Sequence, residues 1–541
     1  MFRKYFNDMR NEFQGYNAKK FSKDLMAGLT VTAVALPLAL AFGVSSGADA
    51  AAGLITAIIA GLVIGLLSGG SYQISGPTGA MTAILIAVVM KFGMQGVFLA
   101  GLLSGVILLI AGVLKIGKLV SFIPSAVITG FTSGIAIIIA LGQIDNFFGV
   151  TSKGENAIQK VASYFKNGFD MNIWAVVIAV GVVLVMAFFP KKWNAKFPSS
   201  LVAIILVVIV NSIFNLPVAV VGDIPKTLFL ENRLNIFNIS YEQISGLIVP
   251  AISIAALGMI ESLLCGASAG RMKNEKLDAD RELVAQGIGN ILLPFFGGVP
   301  ATAAIARTSV AIKSGQETRL TSIIHSIGLL ASMFLLGGVM SKIPLSALAG
   351  ILMVTAYRMN EWKSIGYIFK NKFKSSIAQF LVTMVATVVF DLTIAILLGV
   401  LISVLLFVVR IANVQIETTE VDYDKLDIAD ANQKLKLHKM KVTYITGPLF
   451  FGSVERLENE IVNVVDCNTI ILSMRGVPMI DAGAAHMFLE TIEQLQQENI
   501  TVLFSGLNDV PKEVLDRAGV VDLVGEENFY WDAKQAIESR L

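Results

Sequence analysis

Two charged residues stand deep inside apolar stretches of this sequence: Glu261 in ALGMIESLLCG and Arg307 in AAIARTS. A charge in such surroundings is costly unless paired, and usually marks a path for an ion or a proton. Arg307 can supply fixed positive charge to a substrate, or serve as a structural partner for Glu261. Glu261 is the one carboxylate well inside an apolar segment. Burial favours its protonated form, which would let it couple proton movement to transport. A permanent Glu261–Arg307 ion pair that only holds the core together is the competing reading.

Two Gly/Pro-rich stretches carry a second kind of chemistry. SYQISGPTGAMT contains Gly76, Pro77, Thr78 and Gly79, and FFGGVPATAAIARTS contains Gly297, Gly298, Pro300 and Thr302. Proline near a first helical turn loses no hydrogen bond, and glycine permits a tight approach. A helix that starts inside a bilayer leaves free N–H groups and a partial positive charge. Those groups must face protein or a wet cavity. Two such starts facing one another would hold an anion between backbone N–H groups, with Thr78, Thr302 and Gln73 as side-chain ligands. The plainer alternative is that these stretches only interrupt helices for packing. His325 reads as a packed core histidine.

The elements that must position these residues are transmembrane helices. Of the 541 residues 55% are hydrophobic and only 15% charged, against roughly 25% charged in soluble domains. Long apolar blocks such as Leu201–Val210 and Leu392–Val409 fit helices that cross a bilayer. About fourteen apolar segments fall between residues 25 and 413. Basic residues collect before the first segment and in the even-numbered loops: Lys115 and Lys118, then Lys191, Lys192 and Lys196, then Arg271 to Arg281, and Arg358 to Lys374. The positive-inside rule then puts both termini in the cytoplasm of a plasma-membrane protein. Phe2, Phe6, Met9 and Phe13 fit a short amphipathic helix on the membrane surface or against the tail domain, or a plain solvated leader.

The sequence repeats internally. IPSAVITG at 123 returns as IPLSALAG at 343, a shift of 220, and Pro77 returns as Pro300, a shift of 223. Two halves of about seven segments follow, and an odd number inverts the second half in the membrane. Beyond Arg410 the composition turns polar. The division expected is a segment 1–24, a transmembrane domain 25–413, a linker 414–436 and a soluble α/β domain 437–541. MKVTYITG, NTIILSM and ITVLFSG read as its buried strands, with helices between them. Three scattered histidines and two distant cysteines, Cys265 and Cys467, suggest no metal site or disulfide framework. No Walker A motif and no nucleophile–base set are present, so neither a cofactor nor an enzyme is expected.

On these residues the chain closely resembles the SulP/prestin-type anion transporter family. The resemblance is most specific over Glu261–Leu320, with ESLL, RELVAQG, GGVPATAAIART and SGQETRL elements; Gly28–Gly47 and GPTGAMT look like the bicarbonate-transporting branch. Residues 437–541 resemble a STAS domain. The resemblance implies a seven-plus-seven inverted fold with core and gate domains, a homodimer in the lipid bilayer, and elevator-like transport of sulfate, bicarbonate, chloride or dicarboxylates. By motif matching it places the anion at Thr78, Gly79, Ala304, Ala306 and Arg307, with Phe42 of the first segment nearby. Two departures stand out. Sodium-coupled relatives carry aspartate and threonine where Glu261 and Cys265 stand, which weakens sodium coupling and leaves proton coupling or uncoupled exchange. In the STAS segment Ala482 and Gly483 replace hydroxyl residues that phosphorylated relatives carry, so those two positions cannot be phosphorylated.

The expected activity is secondary active anion transport, most simply of sulfate or bicarbonate. A nucleobase permease of the same fold and an uncoupled anion exchanger or channel remain as alternatives; Arg307 and the ART motif favour an anion. No nucleic-acid partner is expected.

Overall fold

A computed structural model describes residues 2–118, 123–152, 157–190, 198–235, 237, 241–390, 392–421, 439–462 and 467–540. Lys191, Lys192, Lys196 and Asp391 lie outside the described residues. The chain divides into two compact units, Met1–Val400 and Leu401–Leu541.

The first unit opens with α1 (Phe2–Glu12), α2 (Ala18–Ser45) and α3 (Ala50–Leu67), then the two-residue strand β1 (Ser75–Gly76) and α4 (Gly79–Val113). It continues with α5 (Ser125–Gly142), α6 (Ile144–Phe148), α7 (Ala157–Asn167), α8 (Ile173–Phe188) and α9 (Ser199–Phe214). The second half holds α10 (Tyr241–Lys273), α11 (Ala279–Leu292), β2 (Thr302–Ala303) and α12 (Ile305–Lys313). It ends with α13 (Leu320–Met340), α14 (Leu345–Met359), α15 (Trp362–Lys370) and α16 (Lys374–Val389), and α17 (Leu392–Ala412) runs from it into the second unit. Gly93, at φ 67°, breaks α4 into two helices. With that break counted and α1, α6, α7 and α15 left aside, the fourteen helical segments among the described residues match the fourteen apolar segments read from sequence. Among the described residues six helices, with α5 and α6 counted as one, are long and apolar enough to cross a membrane alone. At nine residues α12 is not; at 1.5 Å per residue it covers about 14 Å.

Small residues set the packing of these helices, as expected where lipid supplies no hydrophobic drive between them. Gly105 of α4 lies against Gly287 of α11, so closely that a Cβ on either would meet the other's carbonyl oxygen at 2.8 Å. Gly43 and Gly53 bring α2 and α3 together; a Cβ on Gly53 would sit 2.0 Å from the Ala39 carbonyl. These helices, with α10, α12 and α13, form the core. The gate is built from α5, α8, α9, α14, α16 and α17. The inverted repeat is visible in its joints. Pro124 and Pro344 are the N-caps of α5 and α14, neither with a side-chain cap bond. Gly130 of α5 packs on the Phe380 carbonyl of α16, and its repeat mate Gly350 of α14 packs on the Ala179 carbonyl of α8. In the repeat, α8 and α16 are themselves counterparts.

α1 lies against the core. Lys4 pairs with Asp278 at 2.5 Å, Asp8 with Arg281 at 2.6 Å and Glu12 with Arg319 at 2.8 Å. The Tyr5 ring lies 5.7 Å from both the Arg281 and the Arg319 guanidinium carbons. The expectation of a plain solvated leader is thus corrected. Three acidic–basic pairs and a tyrosine between two arginines outweigh what its apolar spacing alone suggested.

The second unit carries β3 (Gln415–Glu420), β4 (Met440–Thr446), α18 (Val454–Val462), β5 (Thr469–Gly476), α19 (Ala482–Gln497) and β6 (Thr501–Ser505). Then come α20 (Asp509–Arg517), α21 (Val520–Val524), β7 (Phe529–Tyr530) and α22 (Ala533–Glu538). The sheet runs in order β3-β4-β5-β6-β7, with β3 antiparallel and the rest parallel. Its two faces bury separate apolar clusters, one around Phe488 and Phe504, the other around Val442, Ile471 and Leu503. The expected linker over 414–436 needs correction: its first residues are an edge strand, whose polar residues suit a face left open to water.

Candidate functional site

The two Gly/Pro stretches meet at the centre of the core. β1 and β2 pair antiparallel, Ser75 opposite Ala303 and Gly76 opposite Thr302. The Ala304 N–H extends the ladder to the Ile74 carbonyl at 2.9 Å. Each strand runs straight into a helix. Thr78 caps α4, its Oγ1 accepting from the Met81 N–H at 3.4 Å, and Ala304 precedes α12 with no side-chain cap. The expected helix starts therefore lie side by side, joined by main-chain bonds between residues more than 220 positions apart. Among the described residues, the backbone N–H groups of Gly79, Ala80, Ile305, Ala306 and Arg307 make no hydrogen bond. They are the orphan donors that any helix start leaves. Ile305 and Ala306 are exposed.

Arg307 and Glu261 flank this point without pairing. Arg307 is buried, and its Nη2 donates to the Pro77 carbonyl at 2.6 Å while Nη1 has no partner. The guanidinium fills the space beside Gly76, where a Cβ would meet Nη1 at 2.4 Å. Glu261, on α10, accepts from the Thr78 hydroxyl at 2.9 Å. Among the described residues no Glu261–Arg307 ion pair forms, so the expectation of a permanent pair is not met. Phe42 of α2 and Ile139 of α5 close the other side, since a Cβ on Gly79 would meet them at 3.1 and 2.4 Å. Core and gate therefore meet beside Gly79. A second bond crosses the same boundary, from Gln143 Nε2 to Ser45 Oγ at 3.0 Å.

Two expected ligands point elsewhere. Gln73 Nε2 donates to the Ser262 carbonyl at 2.8 Å, and Thr302 Oγ1 lies 2.8 Å from Ser262 Oγ. Residues of β1 and β2 alternate in direction, so Thr302 is turned into α10, away from the helix starts. His325 is fully buried on α13 beside Thr32, as a core histidine would be. Cys265 is buried, with its thiol 3.5 Å from Thr308 Oγ1.

Sequence reading missed the residues that hold the two strands. Asn290 of α11 clamps Ala301 from both sides, donating to its carbonyl at 2.9 Å and accepting from its N–H at 2.8 Å. One turn earlier Gln286 Nε2 donates to Ser75 Oγ at 3.0 Å and to Glu282 at 2.8 Å. Glu282 in turn accepts from Ser68 Oγ at 2.6 Å and the Gly69 N–H at 3.0 Å. The signal was there: Glu282, Gln286 and Asn290 fall four apart, one polar stripe along a buried helix. On α3, Thr56 Oγ1 accepts from the Val299 N–H at 2.8 Å.

Comparison with known proteins accords with this architecture. The Sulfate permease family matches residues 21–386, and a STAS domain matches residues 433–536. YvdB of Bacillus subtilis (strain 168) is 34% identical over 533 residues, 96% of this chain and 97% of its own. The bicarbonate transporter BicA of Synechocystis sp. is 30% identical over 533 residues, 95% of this chain and 93% of its own. The solved structure of SLC26A9 superposes with a TM-score of 0.82 at 17% identity, over 98% of this chain and 91% of that one, a likeness of fold. The chain belongs to the Sulfate permease family, with a STAS domain at its C-terminal end.

Proposed function

We propose that the protein is a secondary active transporter of a small oxyanion, sulfate or bicarbonate, bound where α4 and α12 begin. The observation that carries this reading is the β1–β2 ladder, which sets the free N–H groups of two helix starts beside the Arg307 guanidinium. Oriented N–H groups and a cation, held in a low-dielectric interior, attract an anion strongly. Thr78, Gly79, Ala304, Ala306 and Arg307 surround the anion and Phe42 covers it, while Gln73 and Thr302 support the ladder from behind through Ser262. The family's name and the name of BicA point to the two oxyanions.

Glu261 is the coupling group. Its hydrogen bond to Thr78 puts a carboxyl at the cap of one anion-binding helix. A proton there removes a negative charge that would repel the substrate. Cys265, one turn on, offers no hard oxygen ligand for sodium. The core carries the anion past the gate, in a homodimer in the plasma membrane with both termini cytoplasmic.

Purified protein in proteoliposomes tests this with labelled sulfate and competing bicarbonate, chloride, oxalate and fumarate. Saturable uptake suppressed by one oxyanion is expected. Uptake no greater than in empty vesicles for all five, under an imposed pH gradient of either sign, would end the proposal.

A further inference from the structure

A polar cavity lies at the edge of the gate. Nine-residue α15 is too short to cross a bilayer and joins α14 to α16. It shows Trp362, Tyr367 and Phe369 to the surroundings while burying Ile368. Exposed aromatic rings of this kind belong to the lipid headgroup level. Between residues 358 and 374 stand Arg358, Lys363, Lys370, Lys372 and Lys374 against the single acid Glu361.

Beneath α15 is a cavity of about 550 Å³ lined by Lys363 and Tyr367 of α15, Ser125 and Thr129 of α5, and Phe373 and Ser376 at the start of α16. The starts of α5 and α16 both lack a side-chain cap. Thr129 is 97% buried, yet among the described residues its hydroxyl has no hydrogen-bond partner. Thr129 lines the cavity, so its hydroxyl is open to whatever fills it. Ser125 and Ser376 make no other side-chain hydrogen bond, and Lys363 no ion pair, among the described residues. One ammonium, the hydroxyls of Ser125, Thr129 and Ser376 among others, and two helix starts suit a group with several acceptor oxygens and negative charge, which is a phosphate.

We infer that this cavity binds the phosphate of an anionic phospholipid. The rings of α15 and the exposed apolar residues of α16, Leu381, Val382 and Val385, provide the surface its acyl chains need, which free phosphate has no use for. Basic pockets between transmembrane helices take lipid headgroups in this way.

Native mass spectrometry of the full chain, titrated with phosphatidylglycerol or phosphatidylcholine, tests this without reference to transport. The two proposals can therefore fail separately. Phosphatidylglycerol should be retained about fivefold more tightly, the ratio that ~1 kcal/mol for one basic residue at an anionic surface converts to. Lys363→Gln should abolish the preference, and Thr129→Val should weaken it while keeping the cavity's shape. Equal retention of the two lipids, or a Lys363→Gln protein indistinguishable from wild type, overturns the assignment. Inorganic phosphate that displaces the lipid at equal concentration overturns its lipid source.

Discussion

Arg307 of α12 reaches across the repeat to the Pro77 carbonyl, 2.6 Å from its Nη2, and fastens the cation of one half-helix to the strand that leads into the other. The remaining Nη1 has no protein partner. That spare donor is what a bound oxyanion would satisfy. Arg307→Lys keeps charge but loses the fork that serves both partners at once. The half-saturating anion concentration should rise at least about tenfold, ~1.4 kcal/mol of lost binding. Uptake kinetics in proteoliposomes check this, and an unchanged KM leaves the arginine a fastener only.

Glu261→Gln separates the carboxyl's charge from its hydrogen bond. The amide oxygen still accepts from Thr78 Oγ1, so the α4 cap survives. Uptake should continue with a flat pH profile and without acidification of the vesicle lumen, read with a pH-sensitive dye. A profile identical to wild type removes Glu261 from coupling.

Asn290→Ala strips both partners from the buried main chain of Ala301. Two unsatisfied backbone groups cost roughly 2–4 kcal/mol together. A lowered Tm in detergent should accompany loss of anion binding, whereas Asn290→Ala at wild-type Tm would make the clamp redundant.

Gly53→Ala tests the close crossing of α2 and α3. Its Cβ would stand 2.0 Å from a backbone oxygen that cannot swing aside. Overpacking of this kind costs ~1–3 kcal/mol. A fall in Tm is expected, while Gly142→Ala, with open space around it, should change little.

The docking of α1 should depend on pH. Burial alone would raise the Asp278 carboxyl, but its bonds from Lys4 and the Arg281 N–H hold it below its usual 3.8. Asp278 in turn lifts the Lys4 ammonium above 10.5. A depressed carboxylate stabilises the docked state above its unfolded value and loses that contribution as pH falls through the folded one. The raised ammonium contributes below 10.5 and loses its share as pH climbs through its folded value. A spin label at Phe6→Cys, with Cys265→Ser and Cys467→Ser, should stay immobile at neutral pH and loosen below about pH 3.8. Asp278→Asn should be loose at both. Mobility that never rises as the pH is lowered below 3.8 sinks the idea.

Much of this was legible from residue types. Apolar blocks gave the helices, the Ile-Pro repeat gave the inverted halves, and the Gly/Pro stretches at Pro77 and Pro300 marked the helix starts. What escaped reading depends on partners far along the chain. Nothing local to Ser75 or Thr302 announces a strand, because each finds its hydrogen bonds in the other repeat. Gln73 and Thr302 seemed free to bind an anion until Ser262 was seen to occupy them. Gln415–Glu420 looked like linker because an edge strand with a wet face has no apolar signature. The α1 helix shows its apolar spacing plainly, but its position is set by Asp278, Arg281 and Arg319.

The β1–β2 ladder is a rivet through both repeats. A transporter that opened by parting its halves at the binding point would have to shear those main-chain bonds on every cycle. Under the proposed transport the cradle would have to travel whole, with its passenger aboard, slipping where Phe42 and Gly79 meet Ile139.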